Sequence, residues 1–344
     1  MEDTPVNFIR ESTRNLLKLN RRIHRDVESD TRRHLENRSI TPELIADIAN
    51  RLKSKPSVTT QELQILKNAL VDDQNNLNVV LGTNGALRGL VREISGINVK
   101  RQCAAAGCCC NLALGDSKSC RAVAKAAGPY LVSALDNLTT ELAVTCAWAI
   151  GNMAGSGTNV CNILIAQGAL TKLIDLQDGH EDIRDAALYA LVHFVYQLKD
   201  SLSVEHLEKI TAAIFKRQFS MASSQLLFII SCHEHFNKTE LPETLLLKLI
   251  QATSVSTQRH ISTCKGNQCC ELIYLIRTLA NVVINEKYST IVLNQFIVED
   301  VYKLGLKKIV HSDNKILVES LLWLLGVLHK YCDQDIFRQM IFGA

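Results

Sequence analysis

Apolar residues recur at helical spacing along most of the chain, broken by short polar turns. In "ELAVTCAWAIGNMA", Glu141 to Ala154, the residues Leu142, Cys146, Ile150 and Ala154 fall on one stripe, widened by Ala143, Ala147 and Met153. That spacing, with no proline inside it, predicts an amphipathic helix. Thr145, Trp148 and Asn152 fall on a second stripe, because residues three or four apart share a helix face. A helix sandwiched between neighbours buries two sides, and Trp is largely buried on average. A binding surface explains the same pair, and this stretch alone leaves both readings open.

The pattern repeats. In "CAAAGCCCNLALG", "CAWAIGNMAGSG" and "AALYALVHFVYQ", Gly107, Trp148 and Tyr189 are 41 residues apart, and so are Asn111, Asn152 and His193. Between them a glycine precedes a short apolar segment in "TNGALRGL", "AAGPYLVSAL" and "AQGALTKL", at Gly85, Gly128 and Gly168. Each unit reads as a short helix, a glycine break, a second helix, a polar turn and a longer third helix. Three helices at a period near forty predict an all-α, armadillo-type right-handed α-solenoid. Its units stack into one continuous core, and the third helices line a concave groove. About six complete units run from Asn75 to Tyr331, the later ones looser, with "TQELQILKNALV" as a preceding helix. The final "DIFRQMIFGA" matches the first helix and Gly-Ala of a further unit, so the last repeat is expected to be incomplete and its apolar face to need a cover.

Upstream of the repeats the pattern changes. Thr4-Pro5 suits a helix start, and the following charged run predicts a separate basic helix over 1–38. Ile9, Leu16 and Ile23 are seven apart, but the spacing fails at Asp30, which argues against a sustained coiled coil. Residues 39–57 carry turn signals and read as a linker holding a short helix, and the solenoid is assigned to 58–344.

Composition agrees with a helical repeat protein: 344 residues, 47% of them apolar, with 5 prolines and 16 glycines. The net charge of +3 provides no chain-wide basic surface for nucleic acid. Basic residues are uneven, with nine Arg or Lys against five acidic residues from Arg10 to Arg38. No apolar run reaches the roughly 20 residues that a membrane span needs, and "MEDTPVNFIRES" lacks a signal-peptide apolar core. The expectation is a cytoplasmic and nuclear protein without membrane partners. The twelve cysteines, three of them consecutive at Cys108–Cys110, do not have the spacing of a disulfide framework and read as small core hydrophobes.

"AWAIGNMAGSG" resembles the repeat core of importin-α, the nuclear-import adaptor family, most specifically between Gly107 and Gly168. The basic helix ahead of the repeats resembles that family's importin-β-binding segment. The resemblance implies a ladder of Trp and Asn on successive third helices. Parallel rings make slots for Lys and Arg stems, each cation–π contact contributing roughly 0.5–2 kcal/mol, while Asn amides clamp an extended backbone. Trp148 and Asn152 match one full rung. Asn111 has Gly107 in the ring position, and Tyr189 pairs with His193. Asn281 has Arg277 in the ring position, and Trp323 has Val327 in the amide position. Ser156 stands where the family carries an acidic lysine anchor. The implied carrier-binding residues are Arg21, Arg22, Arg25, Arg32 and Arg33. They occur in pairs with Asp26, Glu28 and Asp30 between, a pattern that a solvated helix laced with ion pairs also explains.

Two other clusters carry potential chemistry: His260, Cys264, Cys269 and Cys270, and Cys232, His233 and His235. Neither has a CxxC pair, and the spacing does not predict a zinc site. No phosphate loop, nucleophile elbow or HExxH helix is present. The sequence therefore predicts no enzyme, no cofactor and no metal. It predicts an importin-α-like import adaptor that binds a protein cargo in its groove and an importin-β-type carrier at its N-terminus. The alternative is a non-transport scaffold for an extended partner segment.

Overall fold

The computed structural model describes residues 41–54, 58–72, 74–238, 241–263, 270–284, 286–298 and 305–342. The expected basic helix over 1–38, with all five carrier-binding arginines, lies outside the described residues, as do Gly343 and Ala344. Every regular element among the described residues is helical. The helices fall into two compact units that divide between Ser119 and Cys120, and each is described by itself.

The first unit opens with α1 (Pro42–Lys53). Thr41 accepts a hydrogen bond from the Leu44 amide, and Pro42 stands in the first turn, two local signals that start a helix. Ile45, Ile48, Ala49 and Leu52 are buried, chiefly against α4 (Ala86–Ile94). The reading of 39–57 as a linker is corrected on this point. Positions 45, 48, 49 and 52 make one helical stripe, and a second helix covers it, so α1 belongs to the packed unit. Between these two lie α2 (Thr60–Asp72) and α3 (Gln74–Gly82). The turn into α4 runs through Gly85 at φ +94°, a left-handed conformation that glycine adopts without a Cβ penalty. In α4 a Cβ on Gly89 would collide with the Leu52 carbonyl oxygen, so this glycine lets the two backbones approach. Next, α5 (Val99–Leu112) packs on α2 and α4 and buries an unbroken run from Ala104 to Leu112.

In the second unit, α6 (Ser117–Ala134) is followed by α7 (Thr140–Ala154), α8 (Thr158–Ala166), α9 (Ala169–Asp175) and α10 (Glu181–Leu198). Gly168, at φ +86°, makes the expected break between α8 and α9. Gly128 does not. It lies inside α6, which runs on through Pro129. Its role is space: the Gln167 side chain occupies the place a Cβ would take and donates to the Ala124 carbonyl at 3.0 Å.

The later elements are α11 (Val204–Phe215), α12 (Met221–Ser231), α13 (Glu234–Lys238), α14 (Glu243–Thr263), α15 (Cys270–Val282), α16 (Glu286–Val298), α17 (Lys307–Ile309), α18 (Lys315–Tyr331) and α19 (Gln334–Phe342). A capping box of Ser220 and Ser223 starts α12. The helices α7, α10, α12, α15 and α18 are the third helices of successive repeats, and each packs on the next. Apolar side chains fill the layer between them and the outer helices, including Phe194, Phe228, Tyr274 and Phe296. Cysteines fill part of the core of both units: Cys108, Cys109, Cys110, Cys120, Cys146 and Cys161 are buried. No described helix is long and apolar enough to cross a membrane.

Candidate functional site

The row of third helices in the second unit carries the residues the sequence singles out. Almost every residue of α7 from Leu142 to Ala154 is buried, yet Trp148 stays half-buried. Asn152, one turn on, is 5% exposed. Small residues bring α10 close at this point. A Cβ on Gly151 would lie 2.8 Å from Cδ1 of Tyr189 and 3.0 Å from Cα of Ala190. The Tyr189 ring therefore rests on the α7 backbone, and its hydroxyl donates to Oδ1 of Asn152 at 2.7 Å. His193, 3% exposed, meets the Tyr189 ring edge-on with centroids 4.8 Å apart. Trp148, Asn152, Tyr189 and His193 are thus gathered on neighbouring turns of two packed helices. Ser156 sits past the end of α7, half-buried, with its hydroxyl donating to the Met153 carbonyl at 2.7 Å.

The other positions differ. In the first unit, Asn111 is 3% exposed and donates to the Lys67 carbonyl at 2.7 Å. The Lys67 stem lies over Gly107, where a ring would otherwise stand. In the second unit, Asn281 of α15 is half-buried and donates to Oγ of Ser231 at 2.8 Å. Arg277, in a ring position, is 3% exposed. Its Nε donates to Oγ of Ser320 at 2.9 Å, and its guanidinium lies 5.8 Å from the centre of the Phe228 ring. Burial lowers the Arg277 pKa, opposed by the negative ends of its neighbours, Glu319 among them. Trp323 of α18 is half-buried. Trp148, Tyr189 and Trp323 are half-buried, while the amides mostly turn inward to bond the neighbouring helix.

Two features escape sequence reasoning. Neither the Tyr189–Asn152 bond nor the Arg277–Ser320 bond has a spacing signature, because each joins residues about one repeat apart across a helix interface. Gly151 beside Asn152 was the available signal for close approach. Asp185, four residues before Tyr189 and hence on its stripe, is a further candidate. Burial raises its carboxyl pKa, Arg184 lowers it, and Glu181 and Asp182 raise it again.

Among the described residues, no three His, Cys, Asp or Glu side chains are grouped so as to hold a metal ion. His233 accepts from the His235 amide through Nδ1 at 3.1 Å, and His235 lies 3.6 Å from Glu208. Cys264 and Cys269 of the other cluster lie outside the described residues.

Known proteins resemble this chain to differing degrees. No family model matches it. Importin subunit alpha-9 of Arabidopsis thaliana is 26% identical over 237 residues, covering 64% of this chain and 43% of the relative. The match thus spans less than half of that relative's length. Among solved structures, an engineered protein superposes with a TM-score of 0.63 at 17% identity, covering 83% of this chain and 68% of its own. A designed armadillo repeat protein gives 0.48 at 17% identity over 83% and 99% of the two chains. Glycine-broken helix pairs, a third helix every forty or so residues and third helices stacked in a row make the fold an all-α solenoid of the armadillo type.

Proposed function

We propose that the third-helix face of the second unit binds an extended protein segment, and that the chain serves as an importin-α-like adaptor. In this reading a protein cargo lies along Trp148, Asn152 and Tyr189, with Trp323 and Asn281 further along the row. An importin-β-type carrier docks through Arg21, Arg22, Arg25, Arg32 and Arg33, and the protein moves between cytoplasm and nucleus. One observation carries the binding reading: Trp148 is only half-buried on a helix whose Leu142, Cys146, Ile150 and Met153 are buried, next to an amide at the spacing that a ladder requires. A partly exposed indole provides a flat surface for the aliphatic stem of a Lys or Arg and attracts its charge. The likeness to an importin α subunit supports the adaptor role.

The test compares stability and binding in Trp148→Ala. Truncating a fully buried Trp costs about 3–5 kcal/mol of folding stability. The expected result is a smaller stability loss, with at least a tenfold loss of affinity for a lysine-rich peptide or a captured cargo. A large fall in melting temperature with unchanged affinity would return Trp148 to the core. The scaffold reading draws support from the interrupted ladder, with Gly107 and Arg277 in ring positions and Ser156 in the acidic one. Binding of importin-β through the first forty residues separates the two, since a scaffold has no need of it.

A further inference from the structure

Tyr189 contributes more to this face than a ring. Asn152 offers one carbonyl oxygen and one NH2 group. Clamping an extended backbone takes both, the oxygen accepting from a ligand N–H and the NH2 donating to a ligand carbonyl. Here the oxygen already accepts from the Tyr189 hydroxyl at 2.7 Å. It has a second lone pair, but the amide is only 5% exposed. The tyrosine is held in this position from two sides. Gly151 leaves the ring lying on α7, with a Cβ there 2.8 and 2.9 Å from Cδ1 and Cε1, and His193 meets the ring at 80°.

We infer that Tyr189 is a specificity-determining latch on Asn152. By taking the amide oxygen it withdraws this rung from backbone clamping. The face then selects ligands by their side chains, Lys or Arg stems laid against the rings, and rejects an extended backbone that lacks them. This inference rests on the reading of the face as a segment-binding groove.

The experiment measures binding of a fluorescein-labelled (Lys-Ala)4 peptide by anisotropy, with Tyr189→Phe against the natural chain. The substitution keeps the ring and deletes the hydroxyl, and circular dichroism and melting temperature confirm the fold. The expected result is a gain of about two- to tenfold, the scale of one neutral hydrogen bond returned to the ligand. The gain should vanish in Tyr189→Phe combined with Asn152→Ala. Equal or weaker binding by Tyr189→Phe overturns the latch, and so does a gain that survives Asn152→Ala. If the natural chain does not bind the peptide, binding that appears in Tyr189→Phe supports the latch, and continued absence overturns it. Trp148→Ala, made in both backgrounds, separates this result from the groove reading. Affinity lost on Trp148→Ala with none gained on Tyr189→Phe removes the latch alone. Affinity indifferent to Trp148 removes the groove reading itself.

Discussion

Cys108 and Cys161 show how burial sets the chemistry of single residues here. Burial pushes each thiol up to about 12 from an ordinary value near 9.0. Both therefore stay protonated at neutral pH and should resist a thiol reagent until the chain unfolds, whereas exposed Cys232 should react in the native state. The linkage has a definite sign. A folded-state pKa above the unfolded one favours the folded form fully below about pH 9 and loses that effect as pH rises toward 12. Stability in urea should fall across that window, by up to about 1.4 kcal/mol per pH unit for each such thiol, and Cys108→Ala should flatten the slope. Ser156 is a second residue whose chemistry can be altered. Its hydroxyl bonds only within its own turn at Met153, so Ser156→Asp should fit and add a carboxylate beside the Trp148 rung. The expected outcome is a gain of about two- to fivefold in affinity for a lysine-rich peptide, the worth of one partly exposed ion pair. Unchanged affinity in Ser156→Asp would contradict this account.

Helices in this protein meet at glycines, and the consequence of filling each gap depends on what stands opposite. At Gly89 the opposing atom is the Leu52 carbonyl, which is backbone. Gly89→Ala gains about 1 kcal/mol of helix propensity, but it must force α1 and α4 apart, at an overpacking cost of about 1–3 kcal/mol. A backbone contact puts the cost at the upper end, so a net loss of about 1–2 kcal/mol is expected in a urea titration. At Gly128 the opposing group is the end of a flexible Gln167 side chain. Gly128→Ala should stay within about 1 kcal/mol of the natural chain, because the propensity gain offsets the loss of the Gln167–Ala124 hydrogen bond. Equal effects of the two substitutions would show that helix propensity, not the opposing atom, governs these contacts.

Charge is distributed unevenly over the whole molecule. The stretch from Arg10 to Arg38 holds nine basic and five acidic residues, an excess larger than the net +3 of the chain. If a carrier reads that stretch, its affinity should fall steeply between low and high salt, since exposed charges are screened beyond about 10 Å at 0.1 M salt. Reversing Arg21, Arg22, Arg32 and Arg33 to Glu should abolish importin-β capture while leaving the melting temperature of the repeats unchanged. Capture that withstands the reversal would sink the adaptor reading and leave the scaffold.

What the sequence determined by itself was local or periodic. Helical spacing, the interval of 41 between Trp148 and Tyr189, and glycines able to turn left-handed at Gly85 and Gly168 all follow from residues a few positions apart or from repetition. The armadillo-type fold was legible for that reason, and so was the candidate pair Trp148 and Asn152. The tertiary structure decided what each polar atom meets. Gly128 and Gly168 precede similar segments, yet only Gly168 breaks the helix, and Gly128 stays inside α6, where the Gln167 side chain at the C-terminal end of α8 packs into the space beside it. The apolar stripe of α1 did not reveal that α4 covers it. Asn152 carried the signature of a ligand clamp, but Tyr189, 37 residues on, takes its oxygen. Arg277 stood in a ring position and is instead buried against Phe228 and Ser320. A helix is specified by neighbours within one turn, whereas a hydrogen-bond partner is specified by how closely two helices a repeat apart approach, and only their packing sets that distance.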